Sequence, residues 1–577
     1  MRTLIAVFLL WASPALAATY TVGPTDNLQA VITAAQCGDT ITVSAGTYAG
    51  PITRSGRCPG PAYLTIQAAS CPHSGRPASG STAGMPVIAS SQSGDLFKVL
   101  MSTDYVRVVC LAFINSAPLQ DAAIRIGSGG PDQDTDAKIP THIQFNRIVV
   151  DNALGAQLVH AISGNGNFIE VTDSWIDNVH ADQDAQCFVS FNARGPILLD
   201  NNYCRATGEN YLLGGARAYV PGAIPSNVTI TNNLLEKDRA CESNSWTCKN
   251  IFEIKAGQDV VFRGNILRHS YVDGQIGQAI LLTPRGWADP AAWTHITRVV
   301  IERNIITDVC NGLAITGETD GEGGDVTLKD SGDWTFQDNL IVLNNAAVGN
   351  CAGSGGKFIQ ASLSPDHVTI QRNTIISLGS PYYMTYGGQA GGVKSNGFVF
   401  ADNVMAYGSA PFVSDGGGGT IGLNFEFGTT WQWTGNCIGG PAQNGEPTGN
   451  GNVYLADAPT FKALFNDWAA GDYRLKPGGA CAGKGVDFSK LPTLPSDVGT
   501  STVPPPVVTP PAPPSVPTLC EVTPLKVSVS RWPTGQTGNK SGDWNSGSFA
   551  IVSASFKWAP LRFEGVDSRG CAVTVTR

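Results

Sequence analysis

The sequence predicts an all-β protein: a right-handed, single-stranded parallel β-helix, or solenoid, with a small C-terminal β piece after a Pro-rich linker. Three observations predict it. A short strand pattern recurs with an asparagine at a fixed place, the composition favours turns over helices, and both ends of the repeat carry closing signals.

The recurrent unit is apolar–x–apolar, two variable residues, then Asn and further apolar residues. Val228-Thr-Ile-Thr-Asn-Asn233, Val260-Val-Phe-Arg-Gly-Asn265, Val299-Val-Ile-Glu-Arg-Asn304 and Trp334-Thr-Phe-Gln-Asp-Asn339 fit it. So do Val368-Thr-Ile-Gln-Arg-Asn373 and Phe398-Val-Phe-Ala-Asp-Asn403. Weaker copies lie around Asn146, Asn202 and Asn436, and near Ser174, where Ser replaces Asn. Successive corners are 28 to 39 residues apart. Such spacing means that the turns vary while the strands keep register. Alternation with period two makes each unit a strand with one buried face. Asn suits a tight bend because its side chain bonds nearby backbone and it tolerates left-handed φ. Stacked asparagines can bond one another along the axis. One coil cannot bury its apolar face, so coils must stack into a continuous core. A propeller would need four strands per blade and a steadier period, and a sandwich would not repeat one Asn corner.

Composition agrees. Charged residues are 14% of the chain and glycine counts 67, which suits turns and stacked strands. The net charge of −9 argues against nucleic-acid binding, which wants a basic face. An acidic polysaccharide would need a local basic patch or a bridging cation.

At the front, Met1-Arg2, the apolar Leu4 to Leu10 and Ala15-Leu16-Ala17 have the anatomy of a secretory signal peptide over residues 1–18. A buried N-terminal strand is the competing reading. No other stretch is apolar enough to span a bilayer, so membrane insertion is not expected. The protein is therefore expected to be secreted, extracellular or at the cell surface. All 14 cysteines follow this segment and none forms a CxxC pair, so disulfides are favoured over zinc. Plausible local bridges are Cys58–Cys71, Cys187–Cys204, Cys241–Cys248, Cys310–Cys351, Cys437–Cys481 and Cys520–Cys571.

Residues 19–495 form the expected solenoid. Asp26 to Ala35 reads as a short amphipathic helix, with Leu28, Val31 and Ile32 on one side, able to cover the open end. Ala470-Gly-Asp-Tyr-Arg-Leu-Lys-Pro477 reads as a closing segment. Residues 496–519 are a stiff Pro-rich linker, and 520–577 a small β domain that could bind carbohydrate, anchor the protein or cap the chain.

With Gly38-Asp-Thr-Ile-Thr-Val-Ser-Ala-Gly-Thr-Tyr48 as the first coil and the closing segment above, residues 19 to about 495 resemble the pectate-lyase-like superfamily. Within it they are similar to bacterial secreted β-helix proteins. The stretches Glu209 to Gly215, Lys249 to Lys255 and Asp273 to Arg285 carry this resemblance locally. The Gly-His-Gly of polygalacturonase-like hydrolases, the Asp-Pro-His-Asp of alginate epimerases and the Arg-x-Pro-x-x-Arg of pectate lyases are not present.

Alternation in Asn250-Ile-Phe-Glu-Ile-Lys255 places Asn250, Phe252 and Ile254 inward and Ile251, Glu253 and Lys255 toward solvent. Aligning the coils puts Glu209, Glu253, Lys255 and Arg285 on neighbouring rungs, about 4.8 Å apart, beside a gap left by Gly214-Gly215. His269 and Gln275, on a connecting segment, are within reach as substrate-binding residues. The grouping is similar to the chondroitinase B and alginate lyase family. The resemblance implies β-elimination from an acidic, uronic-acid polysaccharide, with Lys255 as base, Arg285 as carboxylate neutraliser and Glu253 as a Ca²⁺ ligand. Two features depart from that family. Glu253 and Lys255 lie closer together, and its Arg-His-Gly reads Arg285-Gly-Trp here. A plain surface Glu–Lys pair is the structural alternative. A non-catalytic glycan-binding surface or adhesion protein is the functional one, and a purely structural role the third.

Other candidates are weaker. The acidic loop Gly317 to Asp325 lacks EF-hand spacing and reads as solvated, and Asp182 and Asp184 read alike. His142, His160 and His367 read as turn or wall residues. Trp431 and Trp433 could stack on sugars or pack the core.

Overall fold

In the computed structural model, residues 17–494 are described except for 59, 154, 239–240, 242–245, 286–292, 319–330, 345–348, 380–383, 390–392, 407–410 and 444. Four strands beyond them, at 544–546, 549–557, 562–567 and 572–576, are also described. The signal peptide, the Pro-rich linker, Cys520, Cys571 and most of the acidic loop lie outside the described residues.

Each coil contributes one short strand to each of three sheets. Sheet I runs from Thr19–Val22 to Trp431–Thr434 and sheet II from Gly46–Ala49 to Val453–Tyr454, with 14 strands each; sheet III, from Ile52–Arg54, has 13. Nearly every pairing is parallel, between strands one coil apart, which is the right-handed parallel β-helix. The core is made of apolar columns. In sheet I, Ile143, Ile169, Ile197, Val228, Val260, Val299, Trp334 and Val368 stand in one register, and all are fully buried. Each such side chain contributes about 1.5–3 kcal/mol by leaving water.

The asparagine corner lies between sheets I and II. From Asn202 to Asn436, each asparagine's Oδ1 accepts the backbone N–H of its counterpart one coil earlier, at 2.8–3.0 Å. Its Nδ2 donates to the next Oδ1 and to a carbonyl of the coil before, as Asn233 does to Asn265 and Leu199. Ser174 takes the corner place in its coil and accepts from Ile148. Two corrections follow. Asn146 ends its strand two residues ahead of the corner, which Ile148 occupies. The left-handed residue is also not the corner asparagine but the one before it, as at Asn232 (φ 57°), Arg303 (φ 55°) and Asp338 (φ 56°). The bend needs that conformation one place earlier, and the asparagine supplies hydrogen bonds. The series continues to Asn452, only 16 residues after Asn436.

Both ends are covered. The helix Leu28–Ala34 is capped by Asn27, whose side chain accepts from Ala30 N at 3.0 Å, and buries Leu28 and Ile32 on the first coil. Buried Arg54 donates to the carbonyls of Ile32 and Ala35 at its C-terminus. At the far end Asp472–Leu475 pairs antiparallel with Phe465–Asp467, and Phe461, Phe465 and Tyr473 are buried there.

Among the described residues there are six disulfides: Cys37–Cys58, Cys71–Cys110, Cys187–Cys204, Cys241–Cys248, Cys310–Cys351 and Cys437–Cys481. The expected Cys58–Cys71 bridge is replaced. Each of the two cysteines faces a neighbour one coil away rather than along the chain, because stacking sets proximity. Such bridges belong to an oxidising compartment. Among the described residues no helix is long and apolar enough to cross a membrane.

The chain divides into two compact units, 1–499 and 500–577. In the second, Trp544–Ser546, Phe549–Lys557, Arg562–Asp567 and Ala572–Thr576 form an antiparallel sheet in sequence order.

Candidate active site on the third sheet

On sheet III the strands Gln186–Ser190, Tyr211–Leu213, Phe252–Ile254 and Gln278–Leu282 succeed one another. Phe252 and Ile254 are buried on the inner side, as alternation requires. Glu253 stands in register between Leu212 and Leu281. Contrary to the expected solvent exposure, it is only 1% exposed. Its lateral neighbours are leucines.

Glu209, fully buried at the corner before Tyr211, lies close enough to Glu253 for its charge to act on that carboxyl. Glu209 Oε1 and Glu253 Oε2 have no protein donor. Two buried carboxyl groups this close require a proton or a cation between them. Burial, and then the Glu209 charge, raise the Glu253 pKa to about 7. Burial would raise Glu209 as well, but Lys249, Gln186 and Lys255 outweigh it and hold that carboxyl below its ordinary value. Glu253 therefore carries the proton and Glu209 the charge.

Cations flank the pair. Lys255 Nζ is 3.6 Å from Glu253 Oε1, and Lys249 Nζ is 3.6 Å from Glu209 Oε1 while also pairing with Asp184. Thr283 donates to Glu253 Oε1 at 3.0 Å. Arg285 follows the next strand, and its backbone N–H donates to the Lys255 carbonyl at 2.9 Å, so the two residues sit side by side on adjacent coils. The Gly214-Gly215 gap is filled. A Cβ at Gly214 (φ +81°) would lie 2.3 Å from Ala256 N, and one at Gly215 would lie 3.3 Å from Lys255 Cδ. These glycines permit close approach of the Lys255 strand rather than opening a groove.

Several residues join the site that sequence reasoning left out. Gln186 Nε2 donates to Glu209 Oε2 at 2.6 Å. His160, read as a wall residue, is in register with Gln186, and burial lowers its pKa. Lys237 is fully buried, donates to the Gly208 carbonyl, and is pushed down to about 7 by burial. The signal that could have found Gln186 and His160 is the register of successive sheet III strands.

The structure places Gln275 at the edge, where its Oε1 accepts the backbone N–H of Asn250 at 3.2 Å. His269 goes elsewhere. It follows the sheet II strand Ile266–Arg268, and its Nδ1 lies 2.5 Å from Asp308 with Nε2 4.0 Å from Glu236. Asp182 bonds Gln157. Trp433 is buried core and Trp431 is half-buried.

Among the described residues no group of three or more His, Cys, Asp or Glu side chains is placed to hold a metal ion. Glu209 Oε1, Glu253 Oε2 and Gln186 Oε1 are buried oxygens without a hydrogen-bond partner, the kind of hard oxygen that Ca²⁺ takes.

No family model and no curated protein matches the chain. Among solved structures it is similar to a PL6 family alginate lyase, at 11% identity over 84% of this chain and 59% of that one, with a TM-score of 0.43. It is similar to a mannuronic acid specific polysaccharide family 6 lyase from human gut microbiota, at 13% identity over 73% and 86%, TM-score 0.39. The tailspike protein of E. coli bacteriophage HK620, in complex with a hexasaccharide, matches at 15% identity over 73% and 64%, TM-score 0.38. The chain thus spans 59% of the first of these.

Proposed function

We propose that the protein is a carbohydrate-active polysaccharide lyase that cleaves a uronic-acid glycan by β-elimination on the outer wall of sheet III. The observation carrying this reading is the Lys255–Glu253–Glu209 grouping with Arg285 beside Lys255 on the next coil. Elimination needs the substrate carboxylate neutralised, a base at C5 and a proton for the departing O4. Arg285 neutralises the carboxylate. Lys255 takes the C5 proton. The electron pair forms the C4=C5 bond as C4–O4 breaks, and the oxygen leaves with a proton from Lys255 or solvent.

Glu253, Glu209 and Gln186 would hold Ca²⁺ in place of the proton, and the ion would supply positive charge for the substrate carboxylate.

The test is incubation with a panel of polyuronates while following ultraviolet absorbance of the unsaturated product. The wild-type protein should produce it, and Lys255→Ala and Arg285→Ala should each lose about 100-fold or more in rate. Undiminished turnover by both variants would sink the assignment. Binding of the same polymers with no product from wild type would favour the glycan-binding adhesion reading.

A further inference from the structure

A second feature lies at the corner between sheets I and II. There a cavity of about 330 Å³ is lined by Arg76, Asn201, Asn232, Leu234, Gly264 and Ile266, with Pro492 and Thr493 closing one side. The left-handed residue before each corner asparagine is Asn201, Asn232, Arg303 or Asp338 in neighbouring coils, but Gly264 (φ 66°) in this one. A Cβ there would lie 3.1 Å from Asn232 Oδ1.

The polar lining is asymmetric. The amide nitrogens of Asn201 and Asn232 are committed to Asp173 at 2.7 Å and Asp200 at 2.9 Å. Asp173 also accepts from Asn146, and Asp200 from Thr231. The two carboxylates are thus supplied with donors, and the asparagine oxygens remain as acceptors facing hydroxyl donors. Arg76 donates through Nη1 to the Asn202 carbonyl at 3.2 Å. Among the described residues no carboxylate lies at ion-pair distance from it, and burial lowers its pKa. Leu234, Ile266 and Pro492 give an apolar floor. The volume is at the low end of small-ligand pockets, about 300–1,000 Å³, which accommodates one or two sugar rings.

We propose that this cavity binds a carboxylated sugar residue, with Arg76 taking the carboxylate, the Asn201 and Asn232 oxygens taking hydroxyl protons, and the apolar floor meeting the ring's C–H face. Arg76 feels the nearby Asp173 charge but has unused donors, and a guanidinium with unused donors is matched by a carboxylate. The site is on a different corner from Glu253, so it holds or fails apart from the elimination reading.

The probe is digalacturonate, titrated against the full chain carrying Lys255→Ala and Arg285→Ala so that turnover is blocked. Hydrogen exchange with mass spectrometry tells the two places apart: occupancy here protects residues 232–234 and 264–266, whereas occupancy at the sheet III site protects 209–213 and 252–255. Adding Arg76→Met should weaken binding at this corner by about tenfold or more. Thr493→Glu, an exposed rim change that removes no internal contact, should weaken it similarly by repulsion. The corresponding neutral disaccharide should bind more weakly than digalacturonate. Protection absent from the corner, an affinity unchanged in both variants, or equal binding of the neutral sugar would each overturn the proposal.

Discussion

The proton on Glu253 ties the site to the stability of the fold. Its folded pKa is raised from 4.5 to about 7. In the native state the group therefore binds a proton over a range where the unfolded chain has released it. The stability it contributes is fully present below pH 4.5 and is lost as pH rises through 7. The gap corresponds to about 3 kcal/mol. Glu253→Gln removes the titration while its amide can still accept from Thr283. The assay is urea denaturation of both proteins between pH 4 and 8 (roughly the titration window). Relative to the variant, wild type should lose about 3 kcal/mol across that range. A difference between the two proteins that stays flat with pH would refute the buried proton. Calcium gives a second arm. At pH 8 it should raise the wild-type midpoint, because two ionised carboxylates then face each other, and should raise that of Glu253→Gln less. No calcium response in wild type would count against the oxygen cluster as a cation site.

Two further outcomes are expected. Asn304→Ala strips the acceptor from the backbone N–H of Asn265, at 2.8 Å, and from its Nδ2; leaving these buried donors unmet should cost about 3 kcal/mol or more, read as a lower urea midpoint at unchanged slope. Lys237, lowered from 10.5 to about 7, binds fewer protons folded than unfolded, so stability should rise with pH between those values relative to Lys237→Met, by about 5 kcal/mol at most; parallel pH profiles for the two proteins would contradict the buried neutral amine.

The solenoid was legible because its determinants are local and repeated. Val260, Phe262 and Asn265 state within six residues which side is core and where the chain turns. The corner at Ile148 escaped because nothing polar marks it, and that at Asn452 because its coil is cut short. At the site, the neighbours Glu209, Glu253, Lys255 and Arg285 follow from counting coils, and the structure brings them together. Burial of Glu253 does not follow. It depends on Leu212 and Leu281, which are 41 residues before it and 28 after it in sequence. His160 and Gln186 were missed for the same reason, since a residue one coil away is distant in sequence. His269 was misplaced because a connecting segment can turn toward either adjacent sheet, and an aspartate, Asp308, draws it to sheet II.

The asparagine series also has a direction. Every corner hands its N–H forward to the following turn, so a growing chain leaves one unmet donor at its leading edge until the next turn lands. At Asn452 the backbone N–H goes instead to Gly449 within the same loop, which terminates the sequence of dependencies. The repeat thus behaves as an open-ended polymer with a built-in stop. Turns could be added or excised between Ser174 and Asn436 as whole units, lengthening or shortening the rod while its two lids stay unchanged.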